Sequence, residues 1–104
     1  MRSIVVSCYT PKPGCAEKLL ELIRDHLPPL RAQGLVTPRE AIVMRAADGS
    51  ILEVFEWVSQ EAIAAAHTNP VVLALWEKFE ALCTYATPAS IPELQTLFAH
   101  LEPV

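Results

Sequence analysis

The stretch Glu53-Val54-Phe55-Glu56-Trp57-Val58-Ser59-Gln60-Glu61-Ala62 runs into Ala66-His67-Thr68-Asn69-Pro70 and ends at Leu75-Trp76. Its reading decides the fold. The β-branched and aromatic residues up to Val58 predict a strand. Ser59 follows as a helix N-cap, its hydroxyl placed to accept from the open N–H groups of a first turn. The alanine-rich run Glu61 to His67 is then a helix. Asn69-Pro70 reads as a second cap with proline at the first helical position, starting a further helix over Val71 to Cys83. Strand, helix, break and second helical piece thus follow one another, and both tryptophans of the chain lie among them.

Upstream, Ala41 to Ala46 and Ile51 to Val58 flank Asp48-Gly49, a two-residue hairpin signal. Such a loop places Ile42, Met44, Ile51, Glu53, Phe55 and Trp57 on one sheet face. Ala41, Val43, Arg45, Leu52, Val54, Glu56 and Val58 fall on the other. Both faces are largely apolar, unlike a sheet with one side in water. The second face is therefore expected to meet a second copy of the sheet. Further upstream, Ile4 to Tyr9 predicts a first strand, bounded by Pro11-Lys12-Pro13-Gly14. Leu19, Leu20, Leu22, Ile23, Leu27 and Leu30 form a helical stripe. Pro28-Pro29 is expected to kink or restart that helix near His26, which reads as a solvated kink residue. Gly34 closes it. In the tail, Ser90-Ile91-Pro92-Glu93 reads as a turn or helical start and Leu97 to Leu101 as a last strand. The order β-α-β-β-α-β is the ferredoxin-like split βαβ arrangement, an α+β fold in a single domain over residues 1–104.

Composition bounds the function. A chain of 104 residues builds a small core. Hydrophobic residues make up 52% and charged residues 19%, which again points to apolar surface covered by another subunit. Eight basic and twelve acidic residues leave a net charge of −4 with no basic cluster, which argues against nucleic acid as a partner. No apolar run is long enough for a membrane span, and the segment after Met1-Arg2-Ser3 is too short for a signal-peptide core. A cytoplasmic location is expected. Cys8, Cys15 and Cys83 are odd in number and lack metal-type spacing, so they read as reduced thiols.

Strand one ending in Tyr9-Thr10-Pro11-Lys12-Pro13-Gly14, the Phe55-Glu56-Trp57 strand end and the Ala66-His67-x-x-Pro70 break resemble the antibiotic biosynthesis monooxygenase type of dimeric α/β barrel. The resemblance covers roughly residues 3 to 85. It implies a homodimer whose two sheets form a barrel, with a pocket in each subunit between sheet and helices. Members of that superfamily include cofactor-independent oxygenases acting on quinols or phenolic polyketides, haem-degrading enzymes, isomerases and proteins without known activity, so the fold alone fixes no chemistry. The haem-degrading pattern resembles Asn in the first strand, Trp in the second helix and a His ligand further along. This chain has Ser7, Ala66 and Trp76 at those places. An indole cannot ligate iron, so haem degradation is not expected.

The candidate residues carry two readings each. His67 matches the resembled Ala-His-x-x-Pro break and could move a proton near neutral pH; as a helix C-terminal residue it could equally bond free carbonyls. Glu53 and Glu56, each on an otherwise apolar face, could be pocket acids, or pair across strands. Of the two, Glu56 is taken with His67 as the catalytic candidate. Cys15 after Gly14 stands at a helix start, where the dipole favours thiolate, but no base is near in sequence. Tyr9, Phe55, Trp57, Trp76 and Phe79 could stack on a flat aromatic substrate, or simply form core. His100 lies in the tail with no assigned role.

Two functional readings stand. In the first, the chain is a cofactor-independent monooxygenase-like protein acting on a small aromatic or phenolic compound, with His67 or a strand glutamate as base. It needs neither metal nor cofactor. In the second, it is a non-catalytic dimeric ligand-binding or stress-related module whose interior is filled by its own side chains. An open cavity of a few hundred Å³ separates them.

Overall fold

The computed structural model describes all 104 residues. The elements are β1 (Ser3–Pro11), α1 (Ala16–Arg24), α2 (Leu27–Ala32), β2 (Ile42–Arg45), β3 (Ile51–Trp57), α3 (Gln60–Ala66), α4 (Pro70–Leu82), β4 (Cys83–Ala86) and β5 (Glu102–Pro103). Two 3₁₀ turns, Pro88–Ser90 and Pro92–Gln95, lie between β4 and β5. The strands form one antiparallel sheet in the order β4-β1-β3-β2-β5. The first four strands and the intervening helices make an α+β, ferredoxin-like fold.

The caps work as their chemistry requires. Ser59 Oγ accepts from the Ala62 N–H at 3.0 Å. Asn69 Oδ1 accepts from Val71 at 2.9 Å and from Val72 at 3.3 Å, so Pro70 costs the helix no donor it would have used. The first helix breaks at Asp25-His26, just ahead of Pro28-Pro29. The break leaves both pieces on the sheet: Leu19, Leu20 and Ile23 of α1 and Leu27 and Leu30 of α2 are buried. They join Phe55, Trp57, Val72, Leu75 and Phe79 in one core between the sheet and the helices.

Three sequence expectations are corrected. The hairpin loop between β2 and β3 is not two residues long. Ala46 N–H donates to the Ser50 carbonyl at 2.8 Å and Gly49 N–H to the Ala46 carbonyl at 3.0 Å, enclosing Ala47-Asp48-Gly49. Gly49 takes φ +92°, as the third residue of such a loop must. The extra residue slips the register by one, so Val43 pairs with Glu53 and Met44 with Leu52. Val43 and Arg45 therefore share the helix-side face with Glu53, and Ile42 and Met44 share the far face with Leu52 and Val54, the reverse of a two-residue loop.

The fourth ferredoxin strand is Cys83–Ala86, directly continuous with α4, rather than Leu97 to Leu101. Cys83 ends the helix by turning extended, and β4 pairs with the end of β1. Leu97 and Phe98 are instead exposed, and the chain returns to the sheet only at β5. Third, His26 is not solvated: it is 3% exposed.

The far face of the sheet is only partly covered. Ile91 of the tail sits on Cys8, Ala46 and Leu52, with Leu94 and Leu101 packed beside them. Ile4, Val6 and Ile42 remain open on that face at 53%, 42% and 61% exposure. No helix is long and apolar enough to cross a membrane.

Candidate functional site

On the helix side of the sheet, alternate residues of β1 and β3 point at α2 and α4. Pairing of Ser7 with Glu53 and of Tyr9 with Ile51 makes Tyr9 and Glu53 diagonal neighbours on this face. The Tyr9 hydroxyl donates to Glu53 Oε1 at 2.8 Å. From above, the helix break aims His26 at the same carboxylate: Nδ1 stands 2.9 Å from Oε1 and 3.1 Å from Oε2. Glu53 is completely buried and His26 nearly so. A buried carboxylate survives only with such partners, and here it has two.

The geometry assigns the protons. An ionised carboxylate only accepts, so Nδ1 carries the hydrogen and donates it. An imidazole with its single hydrogen on Nδ1 bears its lone pair on Nε2. That atom is buried and has no hydrogen-bond partner within the protein. The ring is held edge-on between Phe55 and Phe79, with centroids at 5.3 Å and 5.0 Å. His26 also lines a cavity of about 300 Å³. The other walls are Val5, Ser7, Tyr9, Phe55, Trp57, Trp76, Phe79, Glu80 and Tyr85. Tyr85 and Glu80 are exposed and mark its solvent edge. Burial, then the Glu53 charge, pushes the Tyr9 hydroxyl far above its ordinary range. Burial, then Cys83 and Glu80, also raises Tyr85. Both phenols stay protonated at neutral pH, so the basic side chains of the cavity wall are His26 at its inner end and the exposed Glu80 at its solvent edge.

The five aromatic candidates, Tyr9, Phe55, Trp57, Trp76 and Phe79, all come together around this cavity. Neither His67 nor Glu56 joins them. His67 is exposed; its Nδ1 donates to the Ile63 carbonyl at 2.9 Å, and its ring packs on Trp76 at 5.3 Å. It closes the end of α3, where free carbonyls need donors. Glu56 points to the far face, because it is one residue out of phase with Glu53. It accepts from Thr37 Oγ1 at 2.9 Å and pairs with Arg39 at 3.3 Å, with Arg2 at 4.0 Å. Burial works to raise its pKa, but the Thr37 and Arg39 hydrogen bonds and the Arg39 and Arg2 charges win, holding the carboxyl below its ordinary range. Cys15 is half-buried and its thiol approaches only the Pro13 carbonyl, at 3.7 Å. No three His, Cys, Asp or Glu side chains gather as a metal-binding set.

The residue that sequence reasoning passed over is His26. It had a signal: Leu19, Ile23, His26 and Leu30 follow at helical spacing, which keeps position 26 on the buried stripe through the break. Glu53, alone among Ile51, Phe55 and Trp57, was the matching sign on the strand.

No family model matches the chain, and no curated protein is detectably similar in sequence. Among solved structures, Rv0793 from Mycobacterium tuberculosis superposes with a TM-score of 0.63 at 20% identity, over 85% of this chain and 95% of that one. At that identity the likeness is one of fold.

Proposed function

We propose that the chain is a cofactor-independent, monooxygenase-like enzyme of the antibiotic biosynthesis monooxygenase type, acting on a small aromatic or phenolic compound. The observation that carries this is the His26 Nε2 lone pair, uncommitted beside an aromatic-walled cavity while Glu53 holds the opposite nitrogen. Nε2 would take a proton from an acidic C–H or O–H of a flat substrate. Glu53 stabilises the imidazolium that forms, as a triad carboxylate does, and Tyr9 holds Glu53 in place. The carbanion left on the substrate is spread over the ring and transfers electrons to dioxygen; the peroxide formed then loses water. For a methylene compound the balance is R₂CH₂ + O₂ → R₂C=O + H₂O, with the proton returned by His26. The cavity volume lies at the small end of ligand pockets, which suits two or three fused rings.

Anthrone, whose methylene is acidic, is the direct probe. Oxygen uptake should rise on adding the protein and should be lost in His26→Ala while His67→Ala retains it. Equal turnover by wild type and His26→Ala would refute the assignment. The same reading includes a homodimer joined across the far sheet face, supported by the open Ile4, Val6 and Ile42 side chains.

A further inference from the structure

The walls of the cavity carry no fixed positive charge. Its lining holds no lysine or arginine and one carboxylate residue, Glu80, which stands at the solvent edge. At the inner end, the Tyr9 hydroxyl and the His26 imidazole both rest on the Glu53 carboxylate. None of the protein's eight lysines and arginines lines the cavity. Arg2 and Arg39 face Glu56, and Arg31 donates to the carbonyls of Thr37 and Arg39. Lys12 Nζ donates to the Glu80 carbonyl at 2.7 Å and is not among the lining residues. Lys18 and Lys78 line a separate surface groove. A ligand carboxylate entering this cavity would leave water for apolar walls and meet Glu80 at the mouth, with the buried Glu53 carboxylate behind the Tyr9 and His26 side chains and no guanidinium or ammonium in the walls to receive it. Removing a charge from water without a partner is costly, and like charges add to that cost. A cation of the same shape would instead meet Glu80 and aromatic walls, with the field of the Glu53 carboxylate behind them.

We infer that this cavity takes uncharged or cationic aromatic ligands and rejects anionic ones, with Glu53 and Glu80 setting the discrimination. The inference rests on the reading of the cavity as a ligand site and adds the charge class of the ligand. Specificity of this kind is a difference between affinities, produced here by the element that repels the wrong ligand. It also fits the proposed chemistry, since a neutral phenol leaves the His26 lone pair free, whereas a carboxylate would draw a proton onto it.

Calorimetric titration of the whole protein at pH 7 with three probes of one shape tests it: 1-naphthol, 1-naphthylmethylammonium and 1-naphthoate. The naphthol and the ammonium should each bind at least tenfold tighter than naphthoate. The ammonium controls for desolvation, since it carries as much charge as naphthoate with the opposite sign. Glu80→Gln, an exposed position, should improve naphthoate binding severalfold, weaken the ammonium and leave naphthol unchanged. Naphthoate binding as tightly as the ammonium would overturn the inference while leaving the cavity a ligand site. An unchanged ratio in Glu80→Gln would remove Glu80 from it. Binding of none of the three would overturn both this inference and the ligand-site reading. Ser7→Trp, or Val5→Phe if the first does not fold, fills the cavity and should abolish naphthol binding; retention in a folded variant would place the ligand elsewhere and refute the argument.

Discussion

Replacing Glu53 in two different ways separates its structural role from its chemical one. Glu53→Ala removes the acceptor of two buried donors, the Tyr9 hydroxyl at 2.8 Å and His26 Nδ1 at 2.9 Å. Both would lose their acceptor within the protein. Breaking a buried, hydrogen-bonded pair by deleting one member costs about 3–5 kcal/mol. For a domain of this size 1 kcal/mol shifts Tm by roughly 4–8 °C, so a fall on the order of 12 °C or more is expected. Glu53→Gln keeps the shape and keeps an oxygen for Tyr9. Its amide nitrogen, in the place of Oε2 at 3.1 Å, can only donate, so it sets a donor against Nδ1–H and favours the tautomer with the hydrogen on Nε2. Charge-assisted bonds become neutral ones, but the buried charge itself is gone, and the two changes offset to within about 2 kcal/mol. The imidazole then has its hydrogen on Nε2 and no lone pair there. In triad enzymes the same amidation lowers kcat by about 10⁴-fold while leaving geometry intact. Thermal unfolding and ¹⁵N shifts of the imidazole read the two effects independently. Glu53→Ala should lose stability with no defined tautomer. Glu53→Gln should stay near wild-type stability with Nε2 protonated and oxygen uptake lost. If Glu53→Ala costs less than about 1 kcal/mol, or if Glu53→Gln keeps full oxygen uptake with Nε2 protonated, His26 and Glu53 do not work together as described.

Asn69→Ala removes the acceptor from Val71 and Val72 and should cost about 1 kcal/mol in denaturant unfolding, with an unchanged m-value. The folded pKa of Glu56 is depressed, so its stabilising effect is full above the ordinary carboxylate value of about 4.3 and is lost as pH falls through the lower folded value; Glu56→Gln should flatten that acid limb in pH-dependent melting curves, and an unaltered limb would contradict the ion-pair account. Burial raises the thiols of Cys8 and Cys83, so iodoacetamide at pH 7.5 should modify only Cys15 in the native protein and all three thiols in denaturant, as counted by mass spectrometry. Val54→Asp, beside Val6 and Ile42 in the sheet register, should convert a dimer to a folded monomer in light scattering; a wild type of 11.5 kDa in solution would dispose of the sheet-to-sheet assembly.

Much of this protein was legible locally. Ser59 and Asn69-Pro70 determine where α3 and α4 begin, because a side-chain oxygen and a missing N–H act within one turn. Pro28-Pro29 likewise announces the break in the first helix, and the first three strands follow from their apolar, β-branched segments. The grouping of Tyr9, Phe55, Trp57, Trp76 and Phe79 was also visible, since period-two and helical spacing put each on an inward face. What the sequence could not settle was longer in range. Asp48-Gly49 suits a two-residue or a three-residue loop, and only the assembled sheet decides between them; that one residue inverts every side chain of β2. Period two already sets Glu53 and Glu56 on opposite faces, but only the assembled sheet decides that one meets the helices and the other Thr37 and Arg39. His26 and Glu53 are 27 residues apart, and no local rule joins them. Their contact exists because the break between α1 and α2 drops a histidine onto a strand whose only inward carboxylate is waiting there, and burial of both makes each the other's necessary partner.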